Sequence, residues 1–240
     1  MTIKPHALYL HGFASSPATA KGVGLGIRLG DDLASYAIPQ LEGDSFRDMT
    51  MDTILARAKA AIDALPADGR PLLLIGSSLG GYVAAFLAAR LAATGGLRPG
   101  ALLLIAPAFG FTTTWQELLG QAGIDEWRAR GERMFYHHAR EADLPLGYGF
   151  LASCLDLPEM PGEAGVPIAI VHGLQDETVP SHRSSAYVRS HARTELHLVE
   201  GDHRLTEPRH EELLVWCARD LMARIEFPVQ IHHHTSPKDS

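Results

Sequence analysis

Residues 76–80 read Gly-Ser-Ser-Leu-Gly, a G-x-S-x-G pattern that follows the apolar run Leu72 to Ile75 and opens an alanine-rich stretch. This is the strand, tight turn and helix context of a nucleophile elbow, in which the central residue is forced into a strained backbone conformation. Small flanking residues must then give clearance. Gly76 and Gly80 supply it, so Ser78 is the candidate nucleophile and Ser77 a small spacer. A serine hydroxyl is a weak nucleophile at neutral pH, so the chemistry also demands a histidine base and a carboxylate to orient it.

Both stand in the order that such an elbow requires, with the acid and then the base on loops after later strands. Asp176 lies in the segment His172-Gly173-Leu174-Gln175-Asp176, just beyond the apolar run Ile168 to Val171. His203 lies in Glu200-Gly201-Asp202-His203, just beyond Glu195 to Val199. A tetrahedral intermediate needs backbone donors for its oxyanion. Leu79 N–H, next to Ser78 at a helix start, is one candidate; Phe13 N–H, in Leu10-His11-Gly12-Phe13, is the other, with Gly12 allowing close approach. His11, Gly12, Trp115 and Tyr148 are candidate substrate contacts, although for His11 and His172 fixing their loops is the stronger expectation. Asp202, adjacent to His203, is poorly placed to reach the imidazole edge.

These residues need a scaffold that brings strand ends together. Strand candidates are 7–10, 35–38, 72–75, 101–105, 168–171 and 195–199; helix candidates are 18–33, 49–65, 79–91, 181–191 and 207–224. Asp48 or Thr50 and Thr206 are expected N-caps. The alternation predicts an α/β fold: a doubly wound, mostly parallel six-stranded sheet in the order 2-1-3-4-5-6, with the first and third strands meeting at the switch point where open sheets bind ligands. A single domain over 1–227 is expected, followed by a flexible tail over 228–240. Residues 110–165 break the rhythm and are longer than a simple crossover requires. Two short helices are expected there, then a hairpin pairing 134–138 with 146–150. The insertion reads as a lid over the site or as an elaborated crossover; its aromatics Trp115, Trp127, Phe135, Tyr136 and Tyr148 pack within it or line an acyl pocket.

The composition of the 240 residues, 46% hydrophobic and 20% charged, is that of a globular chain able to bury one core. A formal net charge of -7 with scattered arginines argues against a nucleic-acid partner. Cys154 and Cys217 are too far apart in sequence for a redox or metal motif, and no apolar run approaches the roughly 20 residues of a membrane span. With an N-terminus that lacks signal-peptide features, this predicts a cytoplasmic protein with no membrane partner. The GVGLG stretch at 22–26 has the wrong spacing and context for a dinucleotide fingerprint, so glycine-mediated helix packing is expected and no cofactor. His137-His138 lacks a carboxylate or thiolate at ligand spacing, and His232 to His234 lie in the tail, so no metal is expected.

The pieces YLHGFASSPATAK, IPQL, GSSLGGY, HGLQDETVP and GDHRL resemble YqiA/YcfP-like esterases of the α/β-hydrolase superfamily, over about residues 8–205. The resemblance implies a serine esterase without metal or cofactor, using Ser78, Asp176 and His203 on a small-molecule acyl ester. The same elbow serves thioesterases, peptidases and cofactor-free perhydrolases, and a non-catalytic binding protein is the reading from a different class. Acyl chain length, alcohol and oligomeric state are left open by the sequence.

Overall fold

The computed structural model describes residues 3–94 and 98–225; the expected tail and its histidines lie outside the described residues. Eight strands are numbered along the chain: β1 (His6–Leu10), β2 (Ser35–Ala37), β3 (Leu72–Ser77), β4 (Pro99–Ile105), β5 (Glu132–His137), β6 (Ala142–Gly147), β7 (Ile168–Gly173) and β8 (Thr194–Val199). Six of them form a parallel sheet in the order β2-β1-β3-β4-β7-β8, while β5 and β6 make a separate antiparallel ribbon. With the ribbon set aside, this is the expected 2-1-3-4-5-6 order. Gly76 pairs with Leu10, so the chain leaves β1 toward Gly12 directly beside the point where it leaves β3 toward Ser78.

The central strands are apolar on both faces because helices cover both. On one face α2 (Met51–Asp63), α3 (Leu79–Thr94) and α6 (His182–Ser190) contribute to a core that includes Leu74, Leu104, Ile170 and Tyr187. On the other, α1 (Ala20–Leu29) and α7 (Pro208–Arg224) enclose Tyr9, Ile75, Leu103 and Val171. Thr50 caps α2 by accepting from Thr53 N–H at 3.2 Å, as one of the two expected residues there. Thr206 does not cap α7: the helix starts at Pro208, whose missing N–H suits that position, with Glu207 before it. α1 is shorter than its glycine-rich stretch because Gly30–Asp32 tightens into a 3₁₀ turn. Its glycines are packing sites: the Tyr36 ring lies where a side chain on Gly26 would go, and Tyr36 OH donates to Gly22 O at 2.6 Å. None of the described helices is long and apolar enough to cross a membrane, and Cys154 and Cys217 are buried free thiols.

The insertion comprises α4 (Phe111–Arg130), the β5–β6 hairpin and α5 (Gly149–Cys154). α4 is broken at Gly120, whose φ of 63° and ψ of 168° are not helical, so it runs as the two short helices expected. The hairpin differs from the expected register. Arg133 faces Leu146 and Met134 faces Pro145, and Tyr148 to Phe150 turn into α5 instead of extending the second strand. Both strands of a two-stranded ribbon are edges, which tolerate a proline, so Pro145 does not bar the earlier pairing. Trp127 is fully buried within the insertion and donates its indole N–H to Leu146 O at 3.0 Å.

The insertion is stitched to the segment 38–50 that follows β2 and to the first residue of α2. Arg47 Nε pairs with Glu132 at 2.6 Å, Gly147 N–H donates to Arg47 O at 2.8 Å, and Met51 N–H donates to Ser153 Oγ at 2.8 Å.

Candidate active site

The turn from β3 into α3 holds Ser78 at a φ of 54°, a left-handed conformation that a side-chain-bearing residue adopts only when its surroundings impose it. Those surroundings are tight. A side chain on Gly76 would overlap the Gly80 backbone, and one on Gly80 would overlap the Leu10 carbonyl. Gly12 stands close on the other side, where an added Cβ would come within 3.2 Å of Ser78 Cβ. Ser78 N–H donates to Ile105 O at 2.9 Å and Ser78 O accepts from Ala108 N–H at 3.0 Å, tying the elbow to the neighbouring strand end.

His203 reaches Ser78 Oγ through Nε2 at 3.0 Å and Asp176 Oδ2 through Nδ1 at 2.7 Å. The three side chains predicted from sequence thus form one continuous hydrogen-bonded row. The His203 side chain is 21% exposed, whereas that of Asp176 is fully enclosed. Burial pushes the Asp176 carboxyl upward, but hydrogen bonds from His172 and His203, the imidazole charge of His203 and the Val179 N–H outweigh it and hold the group well below the usual carboxylate range. Asp176 Oδ1 accepts from Thr178 N–H at 2.9 Å and Val179 N–H at 2.8 Å.

His172 lies beneath the acid. Its Nε2 faces two acceptors, Asp176 Oδ2 at 3.1 Å and Val179 O at 2.9 Å, so the hydrogen-bond network assigns the proton there, and Nδ1 accepts from the buried Ser184 hydroxyl at 2.8 Å. Asp202 does not contend for His203: its Oδ1 accepts from Arg204 and Leu205 N–H at 2.9 and 3.2 Å, bracing the loop that presents the imidazole. Gln175 joins the Asp176 and His203 loops, accepting from Gly201 N–H at 2.7 Å while its own N–H donates to Gly201 O at 3.0 Å. Nothing in the spacing of Ser184 or Gln175 marks them out, because their partners, His172 of β7 and Gly201 of the loop after β8, come from other segments.

Leu79 N–H starts α3 and has no intrahelical acceptor; Phe13 N–H makes no hydrogen bond among the described residues. Against Ser78 opens a cavity of about 90 Å³, walled by Phe13, Leu79, Phe111, Trp115, Phe150 and Val179, with Thr114 and Thr178 as its polar members. Trp115 is therefore at the site. Tyr148 is not among the lining residues: its hydroxyl accepts from Arg128 at 2.8 and 3.0 Å and its ring meets Trp127 edge-on. His11 is buried, with both ring nitrogens committed to the protein, Nδ1 to Gly12 O at 3.0 Å and Nε2 to Leu41 N–H at 3.3 Å. Its ring thus fixes the loop and has no nitrogen left to offer a substrate. Phe111 and Phe150 were visible in the sequence only as further aromatics of the insertion.

His137 has a carboxylate neighbour in space, Glu42 at 2.6 Å, which lies 95 residues away and so outside ligand spacing in the sequence. Among the described residues no group of three His, Cys, Asp or Glu side chains is arranged to hold a metal.

A family model described as Uncharacterised protein family (UPF0227) matches residues 6–213. Curated sequences provide no match. Among solved structures, alpha/beta hydrolase domain-containing protein 10 from mouse aligns with a TM-score of 0.77 at 23% identity, covering 94% of this chain and 93% of that one. A putative hydrolase from Agrobacterium vitis S4 gives 0.80 at 24%, covering 93% and 88%. Est1E from Butyrivibrio proteoclasticus with ferulic acid bound gives 0.74 at 21%, covering 94% and 90%. At these identities the structural likeness is one of fold. The family match spans most of the sequence, and the chain belongs to the uncharacterised protein family UPF0227, built on an α/β-hydrolase fold.

Proposed function

We propose that the protein is a serine hydrolase that cleaves short-chain carboxylic esters through an acyl-enzyme on Ser78. The observation that carries this reading is the row from Asp176 through His203 to Ser78 Oγ, ending at the wall of an apolar cavity. Ser78 Oγ attacks the ester carbonyl as His203 Nε2 takes its proton, and Asp176 stabilises the resulting imidazolium. Leu79 and Phe13 N–H receive the oxyanion. His203 then protonates the departing alkoxide, and water deprotonated by the same nitrogen releases the acid and restores Ser78. These steps use the chain's own groups and water.

The cavity supports a short acyl group. At about 90 Å³ it is smaller than the roughly 150 Å³ that accommodates a benzene ring. The test is labelling of Ser78 by a fluorophosphonate probe together with hydrolysis of p-nitrophenyl butyrate; a folded protein that does neither overturns the reading. A parallel panel of thioester and amide substrates separates esterase from the other acyl transfers that the same row could perform.

Trp115 sets the depth of this cavity. It stacks on Phe135 with ring centroids 5.2 Å apart and meets Phe13 edge-on at 5.2 Å, so removing its ring opens the wall toward the interior of the insertion. Trp115→Ala is expected to move the optimum of a p-nitrophenyl ester series about two carbons longer. At ~0.8 kcal/mol per buried methylene, kcat/KM on the longer ester should rise about fifteenfold relative to butyrate. An unchanged chain-length profile would remove Trp115 from the acyl site.

A further inference from the structure

The segment 38–50 and the tip of the β5–β6 hairpin meet over a buried carboxylate. Glu42 and His137 are both almost fully buried and lie in contact although 95 residues apart in sequence. Glu42 Oε2 accepts from His137 Nε2–H at 2.6 Å, and Oε1 accepts from Arg140 at 2.7 Å. Arg140 N–H donates to His137 Nδ1 at 3.2 Å, which assigns the imidazole proton to Nε2 and aims it at the carboxylate. One acid thereby fastens both the last residue of β5 and the hairpin turn to the core.

The residue before Glu42 carries this hold to the elbow. Leu41 N–H donates to His11 Nε2 at 3.3 Å, leaving Nδ1–H to donate to Gly12 O at 3.0 Å. Gly12 C=O and Phe13 N–H belong to one planar trans peptide, so fixing where the carbonyl points also fixes where the N–H points. Burial lowers the His11 pKa, which favours the neutral ring that this arrangement requires. The hairpin holds the same loop a second time: Ala139 N–H donates to Ala14 O at 3.3 Å, beside an Ala14 held at a φ of 50°. Phe46 continues the contact, edge-on to His137 at 4.9 Å and tilted against Phe13 at 5.5 Å.

We propose that Glu42 is a positioning residue for the oxyanion donor, clamped by His137 and Arg140 of the hairpin and acting through Leu41 and His11 on the Gly12–Phe13 peptide. The inserted hairpin is then part of the frame that aims Phe13 N–H, with its tip docked and not swinging as a lid. This inference rests on the serine-hydrolase reading and on Phe13 as a donor.

The experiment compares the parent with Glu42→Gln and Arg140→Ala on p-nitrophenyl butyrate, and measures inhibition by an alkyl boronic acid, whose tetrahedral adduct with Ser78 needs the same donors. Glu42→Gln presents an amide to two donors and loses the Arg140 contact. It is expected to lower kcat about tenfold to a hundredfold with KM within twofold, because a misplaced donor costs less than a missing one. The inhibition constant should rise by the same factor. Arg140→Ala, at a side chain 51% exposed, leaves the Glu42 to His137 bond in place and should give a weaker effect of the same kind. If Glu42→Gln does not fold, Arg140→Ala decides alone. A fall in kcat without weaker boronic acid binding, or no change in either, overturns the clamp. A parent that neither reacts with a fluorophosphonate nor turns over ester overturns the hydrolase reading instead, and the clamp with it.

Discussion

Ser78→Ala is expected to lower kcat on p-nitrophenyl butyrate by about 10⁶-fold, leaving only the acceleration that substrate binding and the oxyanion donors provide. Ser77→Ala, one residue earlier, should stay within about tenfold of the parent. The inequality follows from where the two hydroxyls point. Ser78 Oγ faces His203 Nε2 at 3.0 Å, while Ser77 is the last residue of β3 and makes no hydrogen bond to His203 among the described residues, so that its loss should act on stability by no more than the ~1 kcal/mol of an ordinary hydrogen bond. Alanine keeps the Cβ that Ser78 already carries at its left-handed φ, so the elbow should survive the exchange. Initial rates beside circular dichroism spectra of both variants check this. A folded Ser78→Ala protein retaining more than about a hundredth of the parental rate would show that another group attacks the ester.

The parts of the site that could be read from the sequence are those whose signals are local. Gly76, Ser78 and Gly80 lie within five residues, and Asp176 and His203 each follow a short apolar run by a few positions, so period and punctuation locate them. Parallel alternation then brings the strand ends together. What escaped reading depends on contacts between segments with no shared period. Glu42 meets His137 across 95 residues, and Ser184 supports His172 of β7 from helix α6. The hairpin register departs from the apolar pattern for a related reason. Leu146 to Phe150 is as apolar as a strand, and only the packing of Phe150 and Leu151 into the core bends that segment into α5. The aromatic type of Tyr148 suggests a substrate contact, yet its ring is engaged by Trp127 and Arg128.

Asp176→Asn is expected to reduce kcat about 10⁴-fold while leaving KM nearly unchanged, because the defect lies in the orientation and protonation of His203 and not in the cavity. The carboxylate accepts from four groups at once: Thr178 and Val179 N–H on one oxygen, and His203 and His172 on the other. An amide can accept on one oxygen only. Whichever way it is turned, its NH₂ faces donors, and His203 loses the acceptor that keeps the Nδ1 proton in place and leaves Nε2 free for Ser78. The same saturation fixes the pH dependence of stability. Because the folded-state pKa of Asp176 is depressed below its unfolded value of about 3.9, its contribution is complete above that value and is lost as pH falls through the folded pKa. Urea denaturation of parent and variant should therefore show the largest stability difference between pH 5 and 7, narrowing below about pH 4 as the carboxylate of the unfolded chain takes up its proton while that of the folded protein stays ionised. A gap that stays constant into that acid range would mean the carboxylate charge is not what the loop is built around.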